Sequence, residues 1–338
     1  MAFLRRFLGS NNQFEVDGKL VLVAGGSRGL GKAFALELAA KGANLLLLAR
    51  SEAALRHTQA EVQRACTNSK QIVDAIPVDL TKPDEVVMLA YSSQGILADR
   101  VQIHAALNHY HTPDILICTA GGTPTQVGFL ADISPEAITS CVDLNYYTTI
   151  FIVQYCLKLW LAAAPTASPR HVLLTSSLAA FLGIPGFIAY TPTKVAIRAL
   201  ADTLRQEFLL YDENMFRVHV SFPGPFITEA FFDEQDNKPN LTKALEGTNL
   251  SRTELEQKIP SARTIAKRII TGVEKGKTYV PVEWRGDMLL NNMRGPSPRF
   301  WTLWDFFLGI VAACAWWFYR RSFDRQTRRF GVSSRYSY

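Results

Sequence analysis

The chain has 338 residues, 48% of them hydrophobic and 20% charged, with a formal net charge of +6; this suits one large domain with its own core plus appendages. The charge is localised: residues 320–338 hold six arginines against Asp324, so the rest of the chain is close to neutral. That balance argues against a nucleic-acid-binding body, and a basic tail behind an apolar run suits an anionic membrane surface.

Residues 1–17 read as a leader. They lack the apolar core of a signal peptide, although Phe3, Leu4, Phe7 and Leu8 fall at helical spacing. Residues 19–24 (KLVLVA) form a continuous apolar run, as in a parallel strand buried on both faces. Gly25-Gly26-Ser27-Arg28-Gly29-Leu30-Gly31 follows at once, then a helical pattern over 32–41. Strand, glycine turn and helix are the context of a dinucleotide site, in which the backbone comes close to phosphates at a helix N-terminus. Residues 44–49 (NLLLLA) give a second strand that ends on Arg50 and Ser51. A carboxylate there would bind the ribose 2′-hydroxyl of NAD; the cations Arg50 and Arg28 instead suit the 2′-phosphate of NADP(H). A helix over 52–65 leads to a third strand, 72–78, whose tip Asp79-Leu80 can face the adenine.

Residues 114–119 read as a fourth strand, followed by Ala120-Gly121-Gly122, small enough to pass close to a ligand. A long apolar helix is expected over 135–161, with Asn145 inside it as either a satisfied core amide or a site residue. Residues 172–177 are a fifth strand that delivers Ser177 to the start of a helix carrying Tyr190 and Lys194. Tyr-x-x-x-Lys on a helix stacks the two side chains on one face. A phenol titrates near 10, and about 4 kcal/mol of differential interaction closes the gap to neutrality; a neighbouring ammonium supplies interaction of that sign. With a serine hydroxyl to orient a carbonyl oxygen, this is a proton-transfer site for a ketone/alcohol couple. A sixth strand, 217–222, ends on Pro223-Gly224-Pro225-Phe226-Ile227-Thr228. Strands alternating with helices make an α/β, Rossmann-type doubly wound parallel sheet with its ligands at the strand C-termini.

Over about residues 18–228 the chain resembles the short-chain dehydrogenase/reductase family. The glycine turn matches the family's Thr-Gly-x-x-x-Gly-x-Gly with Ala24 in place of threonine, and Cys118-Thr119-Ala120-Gly121 stands for the usual Asn-Asn-Ala-Gly. These departures are expected to remove hydrogen bonds that steady the turns. The resemblance implies a catalytic tetrad of Asn145, Ser177, Tyr190 and Lys194, with Asn145 holding a water that relays protons to Lys194. It also implies NADP(H) held by Gly25, Ser27, Arg28, Gly29, Leu30, Gly31, Arg50, Ser51, Asp79, Leu80, Ala120, Gly121, Tyr190, Lys194, Pro223, Gly224 and Thr228, with no metal. Softer motifs, among them residues 48–50, 186–190 and 318–329, resemble the branch that reduces long-chain keto sphingoid bases at the cytosolic face of the endoplasmic reticulum. A membrane-bound hydroxysteroid or retinol dehydrogenase would carry the same chemical residues; a non-catalytic NADP-binding scaffold is the reading of another class. Family members pair through their long helices, so a homodimer or homotetramer is implied.

Residues 229–258 read as a polar insertion, either a flap over the substrate or a surface excursion. A helix over 264–273 and a seventh strand over 278–282 complete a catalytic domain of residues 18–285. After a Gly-Pro-Ser-Pro boundary at 295–298, residues 300–320 form a membrane anchor and 321–338 a basic tail. Fourteen uncharged apolar residues, 306–319, are short for a span, and Trp301, Trp304, Trp316 and Trp317 suit interfacial depth. Tail and body both belong in the cytosol, so a monotopic or hairpin-like anchor is expected ahead of a single span, with a buried core or oligomer helix as the remaining reading. A keto base with some fifteen methylenes favours the bilayer by roughly 12 kcal/mol at about 0.8 kcal/mol per CH₂, and Phe226, Ile227, Phe231 and Phe232 are candidate contacts for its chain. The five cysteines, at 66, 118, 141, 156 and 314, show no ligand spacing and read as reduced thiols.

Overall fold

The computed structural model describes residues 12–86, 110–211, 215–293 and 300–333. The expected contact at residues 3–8, the boundary at 295–298 and the end of the tail lie outside them.

Seven parallel strands form one sheet in the order β3-β2-β1-β4-β5-β6-β7: β1 Leu20–Ala24, β2 Asn44–Ala49, β3 Val73–Pro77, β4 Ile115–Cys118, β5 Arg170–Thr175, β6 Phe216–Phe222 and β7 Tyr279–Pro281. The apolar strands bury both faces by alternation. Leu20, Leu22, Leu46, Leu48, Leu116, Val172 and Leu174 point to one side, where Trp160 and Phe208 pack. Val21, Val23, Leu45, Leu47, Ile115, Ile117 and Leu173 point to the other, against Phe34, Leu38, Ile265 and Ile269. The strand order reverses between β1 and β4, which opens a crevice at their C-terminal ends.

The flanking helices are α1 Gly29–Ala39, α2 Glu52–Ala65, α3 Pro83–Val86, α4 Pro135–Val142, α5 Thr148–Ala162 and α6 Tyr190–Tyr211. The long helix expected over 135–161 is broken: a π-helical turn, Asp143–Tyr147, separates α4 from α5 and carries Asn145. Such turns cluster at functional sites.

The 229–258 insertion is helical, with α7 Glu229–Asn237, α8 Asn240–Glu246 and α9 Arg252–Lys258, and its Phe231, Leu241 and Leu255 are buried. α10 Ala262–Glu274 and α11 Trp284–Met293 follow, the latter not foreseen from the sequence. α12 Thr302–Ser333 is one unbroken helix of 32 residues, so the hairpin expected for the anchor is not formed among the described residues. Asp305, which interrupts the apolar run, sits in the first turn and accepts from the Phe300 and Trp301 N–H groups at 3.1 and 3.4 Å. By length and composition α12 could cross a membrane, yet it packs along the body against α8 and α11.

Away from the crevice, on β5 and β6, two buried histidines stack. His219 donates from Nδ1 to the Lys277 carbonyl at 2.7 Å, so its Nε2 accepts from His171 Nδ1 at 3.0 Å. Burial pushes His171 down to about 2 and His219 to about 4. Both rings are thus neutral in the fold, whereas the unfolded chain protonates them near 6.5. The unfolded state binds more protons between pH 6.5 and 4, so folding stability should fall across that window, by about 1 kcal/mol per pH unit per ring. Urea unfolding at a series of pH values tests this: the double variant His171→Gln/His219→Gln should show a shallower slope, and an unchanged slope would place the acid sensitivity elsewhere.

Candidate active site

One cavity of about 970 Å³ runs along the C-terminal ends of the strands. Its floor begins at the glycine turn after β1. Gly25 has φ +87°, and a Cβ there would sit 2.5 Å from the Ala120 nitrogen. Gly31 does not line the cavity; it lies behind the turn, where a Cβ would collide with the Gly25 carbonyl oxygen and lie 2.6 Å from Thr119 Oγ1. Thr119 also corrects an expectation, because it steadies the turn: its hydroxyl donates to the Ala24 carbonyl at 2.8 Å, and the amides of Thr119 and Ala120 donate to that same oxygen.

Ser27, Arg28, Gly29 and Leu30 line the same end, with Arg50 and Ser51 beyond β2 and Asp79 and Leu80 beyond β3. The Ser51 hydroxyl caps α2, and Asp79 accepts from the amide and hydroxyl of Thr81 at 3.0 and 2.7 Å. Arg28 and Arg50 are exposed at the rim. Ala120 and Gly121 after β4, and Pro223, Gly224 and Thr228 after β6, complete the cradle. Gly29 sits at φ +56°, a conformation that favours glycine, and packs beside the Thr228 methyl.

Ser177, Tyr190 and Lys194 line the middle of the cavity. Ser177 caps the short turn Leu178–Ala180, and its hydroxyl also lies 3.4 Å from the Pro223 carbonyl. Lys194 Nζ lies 5.3 Å from the Tyr190 ring centre and donates to the Thr175 carbonyl at 3.3 Å. The sequence led us to expect an acidified phenol, and the site differs. Burial, then the Glu234 carboxylate, push the Tyr190 pKa above its usual value, while the Ser177 hydroxyl pulls against them. Burial takes Lys194 down to about 8.

Asn145 is fully buried and does not line the cavity. Its Nδ2 donates to the carbonyls of Gly122 and Cys141 at 2.9 and 3.0 Å, and its Oδ1 accepts from the Gly122 amide at 2.9 Å. The side chain therefore clamps the loop after β4 and has no amide group turned to a substrate. Gly121, at φ +147°, fits in the space left: a Cβ there would meet Asn145 Oδ1 at 2.7 Å and Lys194 Nζ at 3.3 Å.

Several lining residues carried no sequence signal. Lys238, its side chain 1% exposed, bridges Glu234 at 2.6 Å and Glu246 at 2.5 Å under the rings of Phe187 and Phe231, and Thr123 donates to Glu234. Of the foreseen chain contacts, Phe226 and Phe231 line the cavity; Ile227 and Phe232 do not. Met288 and Leu289 of α11 and Ala312, Ala315, Trp316, Tyr319 and Phe323 of α12 form an apolar far wall. Among the described residues no cluster of side chains suits a metal ion.

Comparison with known proteins agrees with this architecture. Residues 19–239 match the family model for short chain dehydrogenases. The chain is 32% identical to the 3-ketodihydrosphingosine reductase of Neurospora crassa over 93% of this chain and 83% of that one, and 32% identical to that of Aspergillus fumigatus over 85% and 78%. It is 29% identical to the 3-dehydrosphinganine reductase of Danio rerio over 71% and 66%. Among solved structures it is similar to levodione reductase (TM-score 0.62, 19% identity, 79% of this chain and 97% of that one). It is also similar to a short chain dehydrogenase from Shigella flexneri complexed with NADP (TM-score 0.60, 19% identity, 80% and 99%), and to one from Burkholderia phymatum in complex with NAD (0.62, 19%, 80% and 90%).

The Lys238 bridge ties α7 to α8 beside Tyr190, and removing its cation would leave two buried carboxylates facing each other. Lys238→Met should cost about 3–5 kcal/mol of unfolding free energy, read by chemical denaturation; wild-type stability in that variant would show that the carboxylates find relief without the lysine.

Proposed function

The chain belongs to the short-chain dehydrogenase/reductase family of oxidoreductases, and from that premise we propose that it reduces the ketone of 3-ketodihydrosphingosine to the alcohol with NADPH, at a membrane surface. The observation that carries this reading is a single cavity with a glycine cradle at one end, Ser177, Tyr190 and Lys194 in the middle and an apolar wall at the other end. The named relatives supply the substrate class.

The residues fit a dinucleotide. Gly25 and Gly29, at φ +87° and +56°, form the tight turn that lines this end of the cavity, and Arg28 and Arg50 stand at the rim for a 2′-phosphate. When bound, NADPH supplies the hydride that reaches the carbonyl carbon. The Ser177 hydroxyl donates to the ketone oxygen, and Tyr190 gives that oxygen a proton as it gains negative charge. An alkoxide is far more basic than a phenolate, so the transfer runs downhill even from a phenol of raised pKa; that raised pKa keeps Tyr190 protonated across neutral pH, as a general acid requires. Lys194 then steadies the phenolate. Asn145 acts as a positioning residue through the loop it clamps.

The membrane placement rests on α12, which exposes Leu303, Phe306, Phe307, Ile310, Trp317 and Phe318 ahead of an arginine-rich end. Aromatic side chains favour interfacial depth. A helix lying on the body at the bilayer surface would keep body and basic tail both on the cytosolic side of the endoplasmic reticulum.

Two measurements test the chemistry. Tyr190→Phe should bind NADPH normally, by cofactor fluorescence, while substrate-dependent NADPH oxidation falls by about a thousandfold; near-normal turnover would end the assignment. Arg50→Ala should weaken NADPH about tenfold or more and leave NADH almost unaffected, the size of a lost charge-assisted hydrogen bond. Equal losses for both cofactors would remove Arg50 from the phosphate site.

A further inference from the structure

α12 has two apolar faces, and the membrane reading uses only one. Leu303, Phe307, Ile310, Trp317 and Phe318 are exposed along its outer side. Ala312, Ala315, Trp316, Tyr319 and Phe323 recur every three or four residues, which makes them one stripe, and every one of them lines the active-site cavity. The stripe runs for about 16 Å along the helix at 1.5 Å per residue.

α12 is seated as a wall. It packs on both α8 and α11, and a Cβ on its Gly309 would lie 3.4 Å from the Asn291 carbonyl oxygen of α11. Leu178 follows Ser177 and packs beside Gly286 of α11: a Cβ added at Gly224 or Gly286 would lie 3.2 or 3.1 Å from one of its methyls. A ketone held at Ser177 and Tyr190 therefore shares one cavity with Leu178, Met288, Leu289 and the inner stripe of α12. Within the stripe the side chains differ in size. Ala312 is buried, whereas Ala315 is only half-buried and borders open cavity beside the ring of Trp316.

We infer that the inner stripe of α12 is the wall along which the substrate's aliphatic tail lies, and that Ala315 is a specificity-determining residue for the length of tail accepted. This rests on the long-chain ketone reading above. A hydrocarbon tail gains affinity by leaving water in proportion to its methylenes, and at Ala315 the absence of a larger side chain keeps that space open. A bulkier residue there would displace the distal methylenes and leave the carbonyl end untouched.

The test is kcat/KM of the full-length protein in detergent micelles, with 3-keto-2-amino alcohols of ten, fourteen and eighteen carbons. Ala315→Trp should lower kcat/KM for the eighteen-carbon ketone about a hundredfold, the loss of room for three or four methylenes, and leave the ten-carbon ketone within about twofold of wild type. Cys314→Trp, on the exposed side of the same turn, should keep the wild-type profile. NADPH binding reports that each variant is folded; if Ala315→Trp loses it, Ala312→Leu is read in its place, with a smaller shift of the same sign. An unaltered length profile, or an equal loss at all three lengths, overturns the wall while wild-type turnover of the long ketone leaves the substrate reading standing. Wild-type enzyme inactive on every length would overturn both.

Discussion

The arrangement of the site depends on how closely the loop after β4 approaches the π-helical turn at Asn145. The asparagine spends its amide on Gly122 as a small antiparallel pair, donor to carbonyl and acceptor from N–H. Gly121 is thereby held where only a hydrogen fits, between that amide and the Lys194 ammonium. The same loop passes Ala120 against Gly25 of the glycine turn and Thr123 against Glu234 of the insertion. One close contact thus sets the distance between the glycine cradle, the lysine and the roof. A helix of uniform pitch through residues 135–161 would turn the asparagine differently, so the extra residue in the π turn belongs to the same constraint.

The sheet was legible because its strands are short apolar runs, several of them ending at glycine, serine or proline. β2 and α2 fall at the residues expected, and the other strand ends shift by no more than two positions. Ser177, Tyr190 and Lys194 were legible because their spacing is local: an i to i+4 pair on a helix needs no tertiary knowledge. Asn145 was found by resemblance, but its clamp on Gly122 and the π turn that carries it were not legible, because nothing in an apolar helical pattern signals one added residue in a turn. The Glu234-Lys238-Glu246 bridge and the α12 wall were not legible at all. Both depend on where a distant segment docks, and a polar stretch rich in glutamate and lysine reads the same whether it lies on the surface or closes over a cavity.

The electrostatics follow from that closure. Sequence reasoning set an ammonium beside a phenol and expected the phenol to acidify. Folding the insertion over the pair removes water from both groups and brings the carboxylates of Glu234 and Glu246 toward the phenol, so burial and like charge raise its pKa against the pull of the Ser177 hydroxyl. The outcome favours one direction of chemistry. On the proposed mechanism, a phenol that holds its proton is poised to donate, and Lys194, whose own pKa is lowered to about 8, would still carry its charge at neutral pH to meet the phenolate that donation leaves behind.

The same helix that carries a row of exposed apolar side chains also supplies the far wall of the cavity, and on the proposed reading a long-chain ketone would explain why one element serves both. A tail of some fifteen methylenes is held in the bilayer by roughly 12 kcal/mol relative to water. Extraction across an aqueous gap would have to overcome most of that, whereas a tail that slides from lipid onto the inner stripe of α12 exchanges one apolar surface for another. A helix with lipid against Phe307, Ile310 and Trp317 and substrate against Ala312, Ala315 and Trp316 keeps the transfer path apolar throughout. It also accounts for the placement of Asp305, the lone acid of the apolar run, in the first turn, where it caps the helix and leaves both apolar faces uninterrupted.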